Sequence, residues 1–213
     1  MDLNRAKSVL AAIREEARRR DDAERDHYWA YEQGLSDEAF INEFCLIFLV
    51  ALRHHLEGEL VCLAARVGGA GTGITQAQFQ QGIERLSTKG KTDWQEVNRL
   101  LKIDKQTKPP QIEALRLLAN NYKHDPQFEP SADLIKHLNL RPASPNYRYA
   151  DLSESDALQD GLAHCVCLSK GSNYILIAER FVESVEKYLE SVVQNVPLRP
   201  FAGGAVSLLD CLH

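Results

Sequence analysis

The chain has 213 residues, of which 44% are hydrophobic and 26% are charged, a composition typical of a globular protein with enough apolar residues for a core. Its net charge of −5 argues against a general affinity for nucleic acid, so contact with a polyanion would require a local basic patch. The longest apolar run, Phe44–Leu52, has nine residues, well short of the roughly 20 that cross a bilayer. Since residues 1–20 also lack the apolar stretch of a signal peptide, we expect a cytoplasmic protein without membrane association.

Helical periodicity dominates the first third of the chain. Apolar residues recur at spacings of three and four within residues 3–17, which predicts an amphipathic helix. Acidic and basic residues are then interleaved, so the later turns of this helix are expected to be solvated. A second helix is predicted from Ser36 or Asp37 to Val67. It is apolar nearly all round, which is typical of a helix at the centre of a bundle.

The middle of the chain carries three helix start signals. Thr75 with Gln78, and Thr92 with Gln95, match the capping box, in which a hydroxyl and a side-chain amide satisfy the first free backbone donors of a helix. Pro110 suits the first turn of the next helix, because proline lacks the N–H that would be unpaired there. The residues of this helix predicted to face the core are Ile112, Leu115, Leu118, Ala119 and Tyr122.

The last third of the chain is predicted to contain three further helices and one loop. The helices run from Ser131 to about Leu140, from Ser153 or Asp156 through Leu168, and from Ser172 to about Val193, and the loop spans residues 141–149. Strand signals are nearly absent. We therefore predict an all-α fold, a helical bundle of about five to eight helices.

Three segments follow from this pattern. Residues 1–35 form a charged N-terminal amphipathic helix, residues 36–195 form the bundle domain, and residues 196–213 form a tail that packs against the body or against a partner. The chain has five cysteines, an odd number, and most lie in apolar helical segments. Reduced thiols are therefore expected rather than a disulfide framework.

The densest cluster of polar side chains lies in the run R-L-L-A-N-N-Y-K-H-D-P, which begins at Arg116. On a helix, Arg116, Asn120 and Lys123 lie within roughly 60° of one another, and His124 lies about 40° beyond Asn120. Asn121 completes the set. The Asp-Pro pair that follows places the cluster at a helix end, because proline disfavours the helical conformation of the residue before it.

These residue types suit RNA cleavage without a metal. Histidine supplies an acid or base near neutral pH, and arginine and lysine supply cations that stabilise charge developing on a phosphate. The same cluster also suits an ordinary polar helix end. Lys123 and His124 would complement the helix dipole, and the asparagines would bond to the following loop. The residues alone leave both interpretations open.

The run N-N-Y-K-H-D-P, preceded by L-R-L-L-A and followed by further helices, resembles the helical HEPN superfamily over about residues 37–193. The resemblance implies a bundle of roughly four to five helices, often a homodimer, in which active members are ribonucleases with one site built from the motifs of two protomers. On this basis we expect His124 and Arg116 to be catalytic. Asn120, Asn121 and Lys123 are expected to bind RNA, and no metal or cofactor is expected.

The resemblance further implies a toxin or defence-type protein that acts on RNA and is paired with an antitoxin or effector protein. Two features depart from the family pattern. Seven residues separate Arg116 from His124, one more than is usual, and Asn120 stands where many relatives carry the arginine. Either Arg116 reaches the site from one turn earlier, or cleavage has been lost. The alternative function is then a non-catalytic helical module for dimerisation or partner binding.

A weaker candidate site lies in the second helix. His55 and Glu59 are four residues apart and therefore share a helix face, and His54 and Glu57 lie beside them. One imidazole and one carboxylate are too few for a metal centre. An ordinary polar patch is the favoured interpretation.

Overall fold

The computed structural model describes residues 2–24, 30–68, 73–88, 90–104, 108–125, 131–139, 141–142, 165–166 and 171–202. Over these residues the fold is all-α, as predicted, with seven α-helices and two small two-stranded sheets. The helices are α1 (Leu3–Glu24), α2 (Ala30–Arg66), α3 (Gln76–Leu86), α4 (Trp94–Leu101), α5 (Pro110–His124), α6 (Ala132–Ile135) and α7 (Gly171–Asn195). A 3-10 turn, Lys136–Leu138, continues α6. Within the described ranges, none of the helices combines the length and apolarity needed to cross a bilayer.

The second helix begins earlier than predicted. α2 starts at Ala30 and continues through Gly34, so the expected start at Ser36 or Asp37 is wrong. A glycine in a helix interior costs only about 1 kcal/mol relative to alanine, which a helix of 37 residues tolerates. The assignment of segments 1–35, 36–195 and 196–213 stays a prediction.

Two pairs of short strands join the helices. β1 (Ser87–Thr88) pairs antiparallel with β2 (Lys91–Thr92), and Gly90 takes a φ of 73° in the connecting turn, a conformation that glycine adopts without steric cost. β3 (Arg141–Pro142) pairs in parallel with β4 (Cys165–Val166). These residues were expected in a loop and in a helix, respectively. Their pairing joins residues more than 20 positions apart, a contact that local sequence patterns do not encode. The rest of the helix predicted from Ser153 to Leu168 lies outside the described residues.

The caps of α3 and α4 test the two predicted capping boxes. The hydroxyl of Thr75 accepts the Gln78 N–H at 3.3 Å, and the Gln78 side chain accepts the Thr75 N–H at 3.0 Å, so the first box is confirmed. In α4 the cap is Asp93, whose carboxylate accepts the Glu96 N–H at 3.1 Å. The prediction of Thr92 was wrong by one residue. Thr92 belongs instead to β2, where it pairs with Ser87.

The chain divides into two compact units, and the division falls within α2 and within α7. The first unit comprises Met1–Asp2, Leu52–Pro109 and Ser184–His213. Its core is formed by apolar side chains of four helices and the segment after α2, including Leu52, Leu56, Leu60, Leu63, Ile74, Phe79, Leu86, Val97, Leu101, Val185 and Val192.

A C-terminal strap, residues 197–202, closes this first unit. Leu198 forms an antiparallel bridge with Val67, and Phe201 forms a parallel bridge with Ile74. The ring of Phe201 packs edge-to-face on Phe79 with centroids 5.3 Å apart, and the guanidinium of Arg66 lies 5.2 Å from the Phe201 centroid. This part of the tail therefore packs against the body, one of the two alternatives expected for it.

The second unit comprises Leu3–Ala51 and Pro110–Glu183. α1 buries Ala6 and Leu10 in it, and Arg14 donates to Glu179 of α7 at 2.9 Å. Cys45 is a free, fully buried thiol in this core. Burial, followed by the nearby carboxylate of Glu179, raises the pKa of Cys45 to about 12, so the thiol stays protonated and unreactive.

Candidate functional site

The polar cluster lies on α5, in the second unit. The helix begins at Pro110, as predicted. Four of the five residues expected to face the core are buried, namely Ile112, Leu115, Leu118 and Ala119. α6 and the 3-10 turn pack against α5 from the chain that follows it. The buried face fixes the orientation of the helix, and the polar face is thereby directed away from the core.

The fifth inward residue, Tyr122, is only half-buried. Burial and, to a smaller extent, the carboxylate of Glu43 raise the pKa of the Tyr122 hydroxyl. Because Glu43 belongs to α2, the Tyr122 hydroxyl lies within electrostatic range of a carboxylate on α2.

The last turn of α5 presents three of the five predicted site residues to solvent. Asn121, Lys123 and His124 are all exposed, and the helix ends at His124. The N–H of Asp125 donates to the carbonyl of Asn121 at 2.8 Å, which extends the helical hydrogen-bonding by one residue. The prediction that the cluster lies at a helix end is confirmed.

Lys123 and His124 are adjacent in sequence and are the two charged or titratable side chains of the exposed last turn. Neither side chain makes a hydrogen bond or ion pair in the part of the chain that the structure describes. Both lie in the last turn of α5, next to the backbone carbonyls that end the helix. A cation and an imidazole are thus available to a ligand without breaking an internal contact.

Arg116 is held differently. Its Nε donates to Oε1 of Glu113 at 2.9 Å, and its Nη2 donates to the same oxygen. The side chain remains 40% exposed. The hydrogen bonds that Arg116 donates to Glu113 raise the pKa of Arg116, so it stays cationic. His124 lies eight positions after Arg116, which corresponds to about 12 Å along the axis at roughly 1.5 Å per residue.

The structure therefore brings three of the five predicted site residues together and leaves the other two on earlier turns of α5. Asn121, Lys123 and His124 share the exposed last turn, whereas Asn120 is half-buried one turn earlier. Arg116 lies two turns away. Sequence reasoning missed Glu113, although its i,i+3 spacing to Arg116 is a recognised signal for an ion pair on a helix.

The second candidate site lies in the first unit and is a set of neighbouring polar side chains on α2. Arg53 donates to Glu57 at 2.7 Å, and Nδ1 of His54 lies 3.4 Å from the same carboxylate. Nδ1 of His55 lies 3.8 Å from Glu59. Burial lowers the pKa of His55 to about 4 and raises that of Glu59. These contacts agree with an ordinary polar patch on α2, the interpretation favoured from the sequence.

Comparisons with known proteins add no assignment, since no family model, curated protein or solved structure matches this chain. The resemblance to HEPN proteins therefore depends on the short motif at the end of α5 and stays a prediction.

Proposed function

We propose that this chain is a HEPN-like protein that acts on RNA as a metal-independent endoribonuclease. The observation that carries the proposal is the exposed pair Lys123 and His124, which has no partner among the described residues. An imidazole and a primary ammonium side by side supply the two groups that phosphodiester cleavage requires. The imidazole transfers a proton, and the cation stabilises negative charge on the phosphate.

The reaction uses the ribose itself as the nucleophile. A base removes the proton of the 2′-hydroxyl, the 2′-oxygen bonds to the adjacent phosphorus, and the bond from phosphorus to the 5′-oxygen breaks. An acid then protonates the leaving 5′-oxygen. The products are a 2′,3′-cyclic phosphate and a free 5′-hydroxyl. Because the 2′-hydroxyl is required, DNA is not a substrate.

A homodimer fits this chemistry because two proton transfers are needed and each protomer carries one His124. Lys123 and Asn121 contact the phosphate backbone beside it, and Asn120 positions the last turn. Arg116 reaches a phosphate one or two nucleotides away, once that phosphate replaces Glu113 as its partner. An antitoxin or effector protein would restrain such an activity by covering the exposed last turn of α5.

The proposal is tested by incubating the purified full chain with end-labelled RNA in EDTA. Wild type is expected to produce fragments with 2′,3′-cyclic phosphate ends, and His124→Ala is expected to leave the RNA intact. His54→Ala is the matched control, because the His54 side chain is also exposed, at 60%, and lies on α2. Intact RNA with wild type, or equal cleavage by His124→Ala, would contradict the proposal.

A second candidate function, a non-catalytic dimerisation or partner-binding module, is favoured by two observations. Arg116 already has an internal partner in Glu113. Phe40 and Ile47 are 68% and 53% exposed and lie seven residues apart on one face of α2. The test of this second function is to measure the mass in solution by light scattering for the double variant Phe40→Ser/Ile47→Ser. Val193→Ser is the control. Dissociation of a wild-type dimer by the double substitution, without any RNA cleavage by wild type, would favour this module.

A further inference from the structure

A cavity of about 630 Å³ opens in the first unit. It lies between the end of α2, the outer face of α3, Leu100 of α4 and Arg199 of the strap. Cavities of this volume are in the range that holds small organic ligands. None of the residues proposed to act on RNA lines it.

The walls combine an apolar floor with polar groups at the rim. The apolar part is formed by Ala64, Ala65, Leu86 and Leu100. Gly82 of α3 faces Ala65, and a Cβ built on Gly82 would lie 3.1 Å from that of Ala65. Small residues at both positions therefore let α3 approach α2 closely at this wall.

Arg199 is the most unusual residue of the lining. Its backbone is fully engaged, since its N–H donates to the Arg66 carbonyl at 2.9 Å and its own carbonyl accepts from the Arg66 guanidinium at 3.3 Å. Its side chain crosses Gly68, where an added Cβ would lie 2.7 Å from Nε. The strap thus holds Arg199 in place without any contribution from its guanidinium.

The guanidinium of Arg199 has no acceptor among the described residues, and its Nε is buried. With no acceptor in this part of the chain, the guanidinium keeps its positive charge and its Nη donors available to a bound anion. Because Nε lies against Gly68, the Nη groups are the donors left for a ligand. A planar oxyanion matches them.

The other charges of the lining define the ligand further. Arg85 is 70% exposed and has only a distant carboxylate partner, Glu96 at 3.8 Å. Glu84 also lines the cavity. Arg85, Arg199 and Glu84 together give a net charge of +1, which suits a monoanion better than a dianion.

We propose that this cavity binds a small organic carboxylate. The carboxylate pairs with Arg199 and Arg85, and the apolar body of the ligand lies on Leu86 and Leu100. Gln81, whose side chain has no partner in the described part of the chain, supplies an additional hydrogen bond at the rim.

The test is calorimetric titration of the full chain with three probes of one shape at constant ionic strength: benzoate, phenyl phosphate and benzyl alcohol. Benzoate is expected to bind more tightly than both other probes. Arg199→Gln is expected to weaken benzoate binding about tenfold or more, the loss expected for a charge-assisted pair. Lys187→Gln, which removes an exposed cation of α7 outside the cavity, is expected to leave it unchanged.

Gln81→Trp provides a second variant that fills the cavity while keeping both arginines, and it is expected to abolish benzoate binding with an unchanged circular dichroism spectrum. The proposal would be overturned if wild type did not bind benzoate, or if it bound benzyl alcohol equally well or phenyl phosphate more tightly. Full benzoate binding by Arg199→Gln would overturn it as well.

Discussion

Arg116 donates to Glu113, which lies one turn toward the N-terminus of α5, so the guanidinium is drawn away from His124 rather than toward it. A phosphate that engages Arg116 must therefore displace Glu113 or share the cation with it. Both side chains are about 40% exposed, so solvent screens the pair and its contribution is small, about 0.2–1 kcal/mol. Displacement is energetically accessible to a ligand with charge.

Glu113→Gln is expected to release Arg116 and to tighten RNA binding about 1.5- to 5-fold, the equivalent of that small pairing energy. Glu183→Gln is the matched control, because Glu183 pairs with Arg180 at the same spacing on α7, at 3.1 Å. Fluorescence anisotropy with a labelled RNA at fixed salt measures both. A Glu113→Gln variant that binds RNA no better than Glu183→Gln would show that Arg116 does not contact phosphate.

The cap of α4 gives a prediction about stability. Asp93→Ala is expected to lower the free energy of unfolding by about 0.5–2 kcal/mol, because the Glu96 N–H loses its acceptor. Thr92→Ala, one residue earlier, is expected to cost less, since its hydroxyl does not cap the helix. Urea unfolding of both variants measures the difference. A larger loss for Thr92→Ala would contradict the observed cap.

Local sequence signals were sufficient to predict a helix start where the residues of that helix alone determine it. The capping box at Thr75 and the start of α5 at Pro110 both rely on groups within one turn of each other, and both were predicted correctly. The cap of α4 was missed because Thr92-x-x-Gln95 and Asp93-x-x-Glu96 are equally good patterns. The pairing of Thr92 with Ser87 decides between them, and that contact lies outside the helix.

Contacts between distant segments could not be predicted. The ladder of Arg141 with Cys165 and the bridge of Phe201 with Ile74 depend on how the chain folds back on itself. For the candidate site, the residue types and the helix end were predictable from the sequence. The pairing of Arg116 with Glu113 requires a choice of rotamer that only the structure provides.

The strap provides a test of long-range packing. The edge-to-face contact of Phe201 with Phe79 is expected to contribute a coupling of about 0.5–1.5 kcal/mol to the free energy of unfolding. A double-mutant cycle with Phe201→Leu and Phe79→Leu measures this coupling directly. A coupling indistinguishable from zero would contradict the packing of the strap on α3.

The pair of His55 and Glu59 predicts an acid dependence of stability. Burial lowers the pKa of His55 from 6.5 to about 4, so the unfolded chain binds more protons than the folded chain between these two values. Stability contributed by His55 is therefore present above about pH 6.5 and is lost as the pH falls toward 4. At about 1.4 kcal/mol per pH unit, the loss is at most about 3 kcal/mol.

The raised pKa of Glu59 changes the free energy of unfolding with pH in the opposite direction. His55→Gln isolates the effect of the imidazole, because Glu59 is retained in both proteins. The difference in the free energy of unfolding between wild type and His55→Gln is expected to shrink as the pH is lowered from 7 to 4. A difference that stays constant over this range would contradict a buried neutral imidazole.

The most direct test of the proposed function is the single-turnover rate of RNA cleavage in EDTA by wild type and by His124→Ala. A positioned general acid or base contributes about 10²–10⁴-fold, so the rate is expected to fall by that factor in the variant. Lys123→Ala, which removes only the neighbouring cation, is expected to retain more activity than His124→Ala. Equal rates for wild type and His124→Ala, or no cleavage by wild type, would contradict a catalytic role for the end of α5.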